Sequence, residues 1–398
     1  MRHILFMAEG ATMAHFVRPL ALARSLPSAE YKIFFYAPAE YAPHVGSSDF
    51  AMHPLNTMPR ERFLANLSRG APMYPPEVLR DYVAADREII RYVRPDLVVG
   101  DLRLSLPISA RLENVRLAML MNAYWSPLAN PEKILPEIPL TRVVPPRVLS
   151  PVYKVAAPLV SALHVGQMNK VRREFGLGPL PLEFGHMYMD GDYVLHPDVP
   201  EYAPIVDCPA NHCFIGSCDW TPDAPKPSWW GRMRADPRPK ILVALGSSGP
   251  VRVLPNVLSA FSGLNVAPII ATSGRFLPQD SQGYVSELLP LAETMAEASL
   301  VVCHGGSPLV YPALAAGVPV LGIPSNADQH LSTALLVKNG AGLGVRSEEA
   351  SPRRLRAAAE RLLSEAQFAD AARRWKAIYA RYDYRQLFRD FVRSAVGH

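Results

Sequence analysis

The residues with the most chemistry in them stand just after apolar runs. Val301-Val302-Cys303 leads into His304, Gly305, Gly306 and Ser307; Val318–Ile323 leads toward Asp328 and Gln329; Ile4–Ala8 leads toward His15; and Leu97–Gly100 ends in Asp101. A glycine turn that closes a strand and opens a helix aims backbone N–H groups at an anion, and a phosphate is the anion such turns commonly hold. Gly246, Ser247 and Ser248, after Lys240–Leu245, form a second turn of this kind. A carboxylate and a carboxamide on the next loop, Asp328 and Gln329, suit hydrogen bonding to hydroxyls. One turn for a diphosphate and one loop for a polyol read together as a nucleotide-sugar site. Asp328 equally suits the N-cap of a helix over Gln329–Lys338.

A transfer that displaces a nucleoside diphosphate also needs a base for the acceptor hydroxyl. His15 precedes a helix expected over Phe16–Leu26. A neutral imidazole at a helix N-terminus is available for that task. Asp101, at the carboxyl edge of the same sheet, can accept the imidazole N–H and stabilise its charged form. Two plainer roles stay open: His15 lining its turn, and Asp101 capping a helix over Ser105–Leu112.

These groups need a scaffold of alternating strands and helices, and the chain supplies one twice. Ile4–Ala8, Tyr31–Ala37, Leu97–Gly100 and Val115–Met121 read as buried parallel strands with helices between them. The alternation restarts at Lys240–Leu245 and continues through Val266–Thr272, Ser299–Cys303 and Val318–Ile323. The expected division is 1–220, a proline-rich linker over 221–235, 236–380, and a terminal helical segment over 381–398. Residues 126–160 hold eight prolines, and an irregular apolar excursion is expected there. With Met121, Asn122, Tyr124 and Trp125 it would line an acceptor pocket. Pro312, inside the helix that follows Ser307, predicts an extended or kinked phosphate loop.

Composition removes other classes. The 398 residues carry a net charge of +5 without a Lys/Arg block, which argues against nucleic acid. A mild positive field suits a nucleoside-diphosphate donor or an anionic membrane surface, and ordinary surface charge accounts for it as well. No apolar run is expected to reach bilayer length, and Met1–Ala8 reads as a first strand rather than a signal peptide, so a cytoplasmic location is expected. Cys208, Cys213 and Cys218 flank His212 without the pair spacing of zinc sites. Asp190-Gly191-Asp192 reads as a turn before the strand Tyr193–Leu195. Neither a metal nor a resident cofactor is expected; the nucleotide sugar is a co-substrate.

The run HGGSPLVYPALAAGVP, followed by PSNADQH, resembles the donor-binding signature of family 1 glycosyltransferases, which include bacterial macrolide and natural-product enzymes. Leu309 and Pro312 stand where that signature has a threonine and a ribose-binding glutamate. The resemblance implies an α/β protein of GT-B architecture: two Rossmann-like domains facing a central cleft, with the last helix, Tyr384–Val396, returning to the N-terminal domain. It implies inverting, metal-independent transfer of a hexosyl or deoxyhexosyl unit from a UDP- or dTDP-sugar to a hydroxyl of an apolar small molecule or a lipid. His15 would be the base and Asp101 its partner. His304, Gly305, Gly306 and Ser307, with Gly246, Ser247 and Ser248, would hold the phosphates. Asp328 and Gln329 would hold the sugar, and Leu289, Pro290 and Leu291 would replace the family's nucleobase loop. Two other functions fit the same fold: a nucleotide-sugar 2-epimerase, and a non-catalytic nucleotide-sugar-binding partner subunit.

Overall fold

The computed structural model describes residues 1–46, 50–218, 224–246, 249–274 and 283–397. Ser247, Ser248 and residues 221–223 of the expected linker lie outside the described residues. The chain divides into two compact units. The first comprises Met1–Lys133, Arg147–Trp220 and Tyr382–His398, and the second Ile134–Pro146 and Thr221–Arg381.

In the first unit, the described residues form a seven-stranded parallel sheet from β1 (Arg2–Ala8), β2 (Tyr31–Ala37), β3 (Met52–Pro54), β4 (Leu97–Asp101), β5 (Leu117–Leu120), β6 (Tyr193–His196) and β7 (His212–Phe214). The spatial order is β3-β2-β1-β4-β5-β6-β7. All five residues of β4 and all four of β5 are buried, as expected for strands covered on both faces. The order reverses between β1 and β4, where Ala8 registers with Asp101. At such a reversal the flanking connections leave on opposite faces, and a crevice opens beyond the strand ends.

In the second unit the sheet is built from β8 (Lys240–Ala244), β9 (Ala267–Ala271), β10 (Tyr284–Ser286), β11 (Leu300–Cys303), β12 (Val320–Gly322) and β13 (Gly342–Gly344), in the order β10-β9-β8-β11-β12-β13. Its strands are also parallel, and its order reverses between β8 and β11, where Ala244 registers with Cys303. The chain is therefore α/β, with two Rossmann-like sheets.

The last helix, Tyr384–Val396, belongs to the first unit. Phe388 is fully buried and meets Phe6 of β1 at a ring separation of 6.1 Å, while Phe391 meets Tyr193 of β6 edge-on at 5.2 Å. Asp383 caps this helix by accepting the Arg385 N–H.

Three expectations fail. First, residues 134–146 cluster with the second unit, not with the first 220 residues. Polar contacts fix them there: the Glu137 N–H donates to the Ser325 carbonyl at 2.7 Å, its carboxylate accepts from Ser347 and Arg252, and Arg346 donates to the Leu135 carbonyl at 2.9 Å.

Second, the expected irregular excursion gives way to a 29-residue helix, Pro146–Glu174, with Pro151 and Pro158 inside it. Each proline removes one backbone donor and opposes helix by about 3 kcal/mol, yet the flanking turns carry the helix through. This helix is long and apolar enough to cross a membrane by length and composition. Prolines and scattered polar residues divide the apolar run in the sequence, so the expectation that none reaches bilayer length does not hold for this helix.

Third, Ser307–Ala316 is one helix with Pro312 inside, neither extended nor broken before it. Leu309, Val310, Tyr311, Ala313 and Leu314 are buried along it, so packing outweighs the lost hydrogen bond.

Phe388→Ala should destabilise the protein by about 3–5 kcal/mol, because it empties an aromatic site in the core of the first unit. A lowered urea midpoint measures the effect. An unchanged midpoint would show that the last helix contributes nothing to that core.

Candidate active site

His15 is the third residue of the helix Met13–Ser25, which starts three residues earlier than the sequence pattern predicts. Its Nδ1 lies 2.7 Å from Asp101 Oδ1 at the end of β4. The histidine side chain is 20% exposed and the aspartate 1%, so one ring nitrogen is committed inward while the residue keeps access to solvent. Asp101 does not cap the next helix: Leu106–Leu112 has Ser105 at its N-cap position, and the Asp101 carboxylate is spent elsewhere.

The other claimant on that carboxylate is Arg18, one helical turn beyond His15. Its Nε donates to Asp101 Oδ2 and its Nη2 to Oδ1, each at 2.8 Å, a two-pronged pair that the guanidinium shape favours. Burial works against the Arg18 charge, and the Asp101 carboxylate more than offsets it, so the Arg18 pKa is raised. Nη1 of Arg18 donates to Asn122 Oδ1 at 2.7 Å, and the Asn122 amide donates to Asp198 at 3.2 Å. Asp198 also accepts the Ala123 N–H at 2.6 Å. The helix after β1, the end of β4 and the loop after β5 are thereby tied together by buried polar groups.

Asn122 is thus a buried strut rather than an exposed acceptor contact. Met121 and Tyr124 are 3% exposed and pack inward; Trp125 is half-buried against Phe184 and Tyr188. Of the four expected acceptor residues, only Trp125 keeps appreciable exposed surface.

A second buried charge cluster lies at the same sheet edge. Arg103 is fully buried, donates to Asp86 at 2.8 Å and to Glu9 at 3.2 Å, and lies 3.5 Å from the Tyr82 ring centroid. Burial raises the Glu9 pKa against the pull of Arg103. Neither Arg18 nor Arg103 is evident from the sequence, although both have a spacing signal. Arg18 stands three residues after His15 on one helical face, and Arg103 two residues after Asp101.

In the second unit, His304 follows β11 and is 6% exposed. Three glycines make room for it. A Cβ on Gly246 would lie 3.0 Å from His304 Cε1, one on Gly306 2.8 Å from Nε2, and one on Gly249 3.0 Å from the His304 Cβ. Gly305 adopts φ +80°, and a Cβ there would stand 2.1 Å from Thr333 Oγ1. The turn after β8 and the turn after β11 therefore close around one imidazole. Gly306 is the N-cap of Ser307–Ala316, and Pro308 removes one N–H from its first turn. The Cys303 thiol beside this turn is pushed up to about 12 by burial, so it stays protonated.

Asn326, not Asp328, caps the helix Ala327–Lys338, and Gln329 completes a capping box. The Gln329 side-chain oxygen accepts from the Ser325 N–H and hydroxyl, each at 2.9 Å, and the residue is 1% exposed. Its carbonyl oxygen is therefore committed to holding the loop. Asp328 is half-buried in the first turn of the same helix, where a carboxylate is favoured. Leu289 is buried, whereas Pro290 and Leu291 are half-buried at the start of the helix Leu291–Glu297.

The Asp190 and Asp192 carboxylates serve structure. Asp190 pairs with Arg111 at 2.6 Å and with Arg172, and Asp192 accepts the Leu117 N–H at 2.8 Å. Among the described residues, no group of three or more His, Cys, Asp or Glu side chains is arranged to hold a metal ion.

Two parallel sheets that each reverse strand order, with a histidine–aspartate pair at one reversal and a glycine-cradled histidine at the other, define the GT-B fold of glycosyltransferases. Residues 276–380 match the family model for the erythromycin biosynthesis protein CIII-like C-terminal domain. A PGL/p-HBAD biosynthesis glycosyltransferase of Mycobacterium tuberculosis is 42% identical over 375 residues, covering 94% of this chain and 87% of that protein. A PGL/p-HBAD biosynthesis rhamnosyltransferase of Mycobacterium bovis is 40% identical over 94% of this chain and 83% of its own length. The spinosyn rhamnosyltransferase SpnG complexed with thymidine diphosphate superposes with a TM-score of 0.69 at 17% identity, covering 98% of this chain and all of that one. The chain belongs to this glycosyltransferase family and is a sugar-transferring enzyme.

Asp101→Ala should cost about 3–5 kcal/mol of stability, because it leaves the Arg18 cation buried without its partner. Adding Arg18→Met should recover much of that loss. Chemical denaturation of the single and double variants checks both statements. Additive losses would show that the pair is not coupled.

Proposed function

We propose that the chain is an inverting glycosyltransferase that moves a deoxyhexosyl or hexosyl unit from a dTDP- or UDP-sugar to a hydroxyl of an apolar small molecule or a lipid. The observation that carries the reading is the 2.7 Å contact between His15 Nδ1 and Asp101 at the β1/β4 reversal, made by a histidine that keeps some access to solvent. An Nδ1–H that donates to Asp101 fixes the tautomer and leaves Nε2 to take the acceptor proton. The deprotonated oxygen attacks the anomeric carbon from the face opposite the diphosphate, inverting that centre. The leaving diphosphate accepts from His304 and from the N–H groups of Gly306 and Ser307 at the start of Ser307–Ala316.

Asp328 accepts from the hydroxyls of the transferred sugar, and Gln329 holds the loop that presents it. Half-buried Pro290 and Leu291 offer apolar contact to the nucleobase. A 40% identical relative named a rhamnosyltransferase, and a structural neighbour crystallised with thymidine diphosphate, favour a dTDP-deoxyhexose over a UDP-hexose. With N–H groups and an imidazole serving the diphosphate, the reaction needs no divalent metal.

The test is turnover of dTDP- and UDP-sugars with a panel of apolar hydroxyl-bearing acceptors, with the product's anomeric configuration read by NMR. The expected product has the configuration opposite to the donor's, dTDP-deoxyhexose is the better substrate, and EDTA leaves the rate unchanged. A product with the donor's configuration would contradict the attack described. Loss of rate on chelation, restored by Mg²⁺, would contradict the role given to His304 and the turn.

A further inference from the structure

The helix Pro146–Glu174 presents an apolar face that the protein does not cover. Val148, Val152, Val155, Leu159 and Leu163 are 55%, 65%, 83%, 66% and 59% exposed. Core packing of isolated side chains does not leave five large aliphatic groups in water on one helix. On an ideal helical wheel they fall within about 80° of arc and form one stripe roughly 22 Å long. A contiguous exposed apolar strip of this kind marks an interaction surface.

The charges around it select the partner. From Pro146 to Arg173 the chain has no aspartate or glutamate. Arg147 and Lys154 are exposed seven residues apart, along one flank of the stripe beyond Pro151 and Pro158. Exposed Lys170 falls on the stripe's own side, beyond its carboxyl end. A second copy of the helix laid on this face would bring like charges together with no acidic partner. An anionic surface meets the opposite sign everywhere along it. The helix does not run free to its end: Val165, Met168 and Val171 are buried in the core of the first unit. Its carboxyl-terminal third is thus anchored in protein, which suits a helix lying along a bilayer surface rather than one crossing it.

We propose that this face docks the enzyme on a membrane surface carrying anionic headgroups. The five aliphatic side chains enter the acyl boundary, and Arg147, Lys154 and Lys170 reach the phosphates. The surface is distinct from the groups assigned to proton and sugar transfer, so the proposal stands apart from the reaction assigned above.

Co-sedimentation of the full chain with vesicles tests it. The chain should pellet with phosphatidylcholine–phosphatidylglycerol vesicles and stay in the supernatant with phosphatidylcholine alone. Arg147→Gln with Lys154→Gln should lower the partition coefficient by about twenty-five-fold, at roughly fivefold per basic residue. Val155→Asp with Leu159→Asp should abolish pelleting. Both variants should keep the wild-type melting temperature and the wild-type affinity for the nucleotide sugar, since these side chains are exposed and none is assigned to the donor. Absence of binding to anionic vesicles, or binding that the substitutions leave unchanged, overturns the proposal. So does a dimer in sedimentation velocity that Val155→Asp with Leu159→Asp splits into monomers, which would assign the face to a second copy.

Discussion

Both chemical centres depend on where the order of parallel strands turns round. In a parallel sheet every strand ends at the same edge, and the reversal is the one place where neighbouring connections diverge and leave room beyond the ends. In the first unit that place lies between β1 and β4, and it brings the helix after Ala8 beside Asp101. In the second it lies between β8 and β11, and it brings Gly246 beside His304. Neither histidine could meet its surroundings if the strands followed one another in simple sequence order.

At the first reversal the difficulty is a buried negative charge. Asp101 is 1% exposed, and an isolated carboxylate there would be costly to keep ionised. Arg18 meets that cost with two hydrogen bonds, and Asn122, itself held by Asp198, accepts from the remaining side of the guanidinium. The carboxylate is then held in one orientation, and its Oδ1 faces His15. At the second reversal the difficulty is space. An imidazole packed between two turns tolerates no Cβ at Gly246, Gly249 or Gly306 without displacement, so the glycines that open the turns also house the ring.

The sequence exposes those features that a single element determines. β4 was legible because five consecutive buried residues leave no alternation, and its end at Asp101 placed a carboxylate at the sheet edge. His15 was legible because it stands between the first strand and an apolar run of helical pattern, although the helix begins before it. The contact between them spans 86 positions and follows only from the strand order. Arg18 was missed because a charged residue on a helix is ordinarily solvated; only the folded chain shows it buried against Asp101. Gln329 misled for a related reason. Its type suits a sugar hydroxyl, but Asn326 three residues earlier turns it into a capping partner. Eight prolines make residues 126–160 read as irregular, yet from Pro146 onward the otherwise helix-compatible sequence carries a 29-residue helix across Pro151 and Pro158.

The central claim is that His15, held by Asp101, removes the acceptor's proton and takes no part in gripping the donor. The most direct measurement compares His15→Ala with the wild type in two assays on the same preparation: single-turnover transfer, and calorimetric affinity for the nucleotide sugar. The account predicts that transfer falls by about 10²–10⁴-fold, the range of a lost general base, while the donor Kd stays near its wild-type value. Turnover retained by the variant would contradict it.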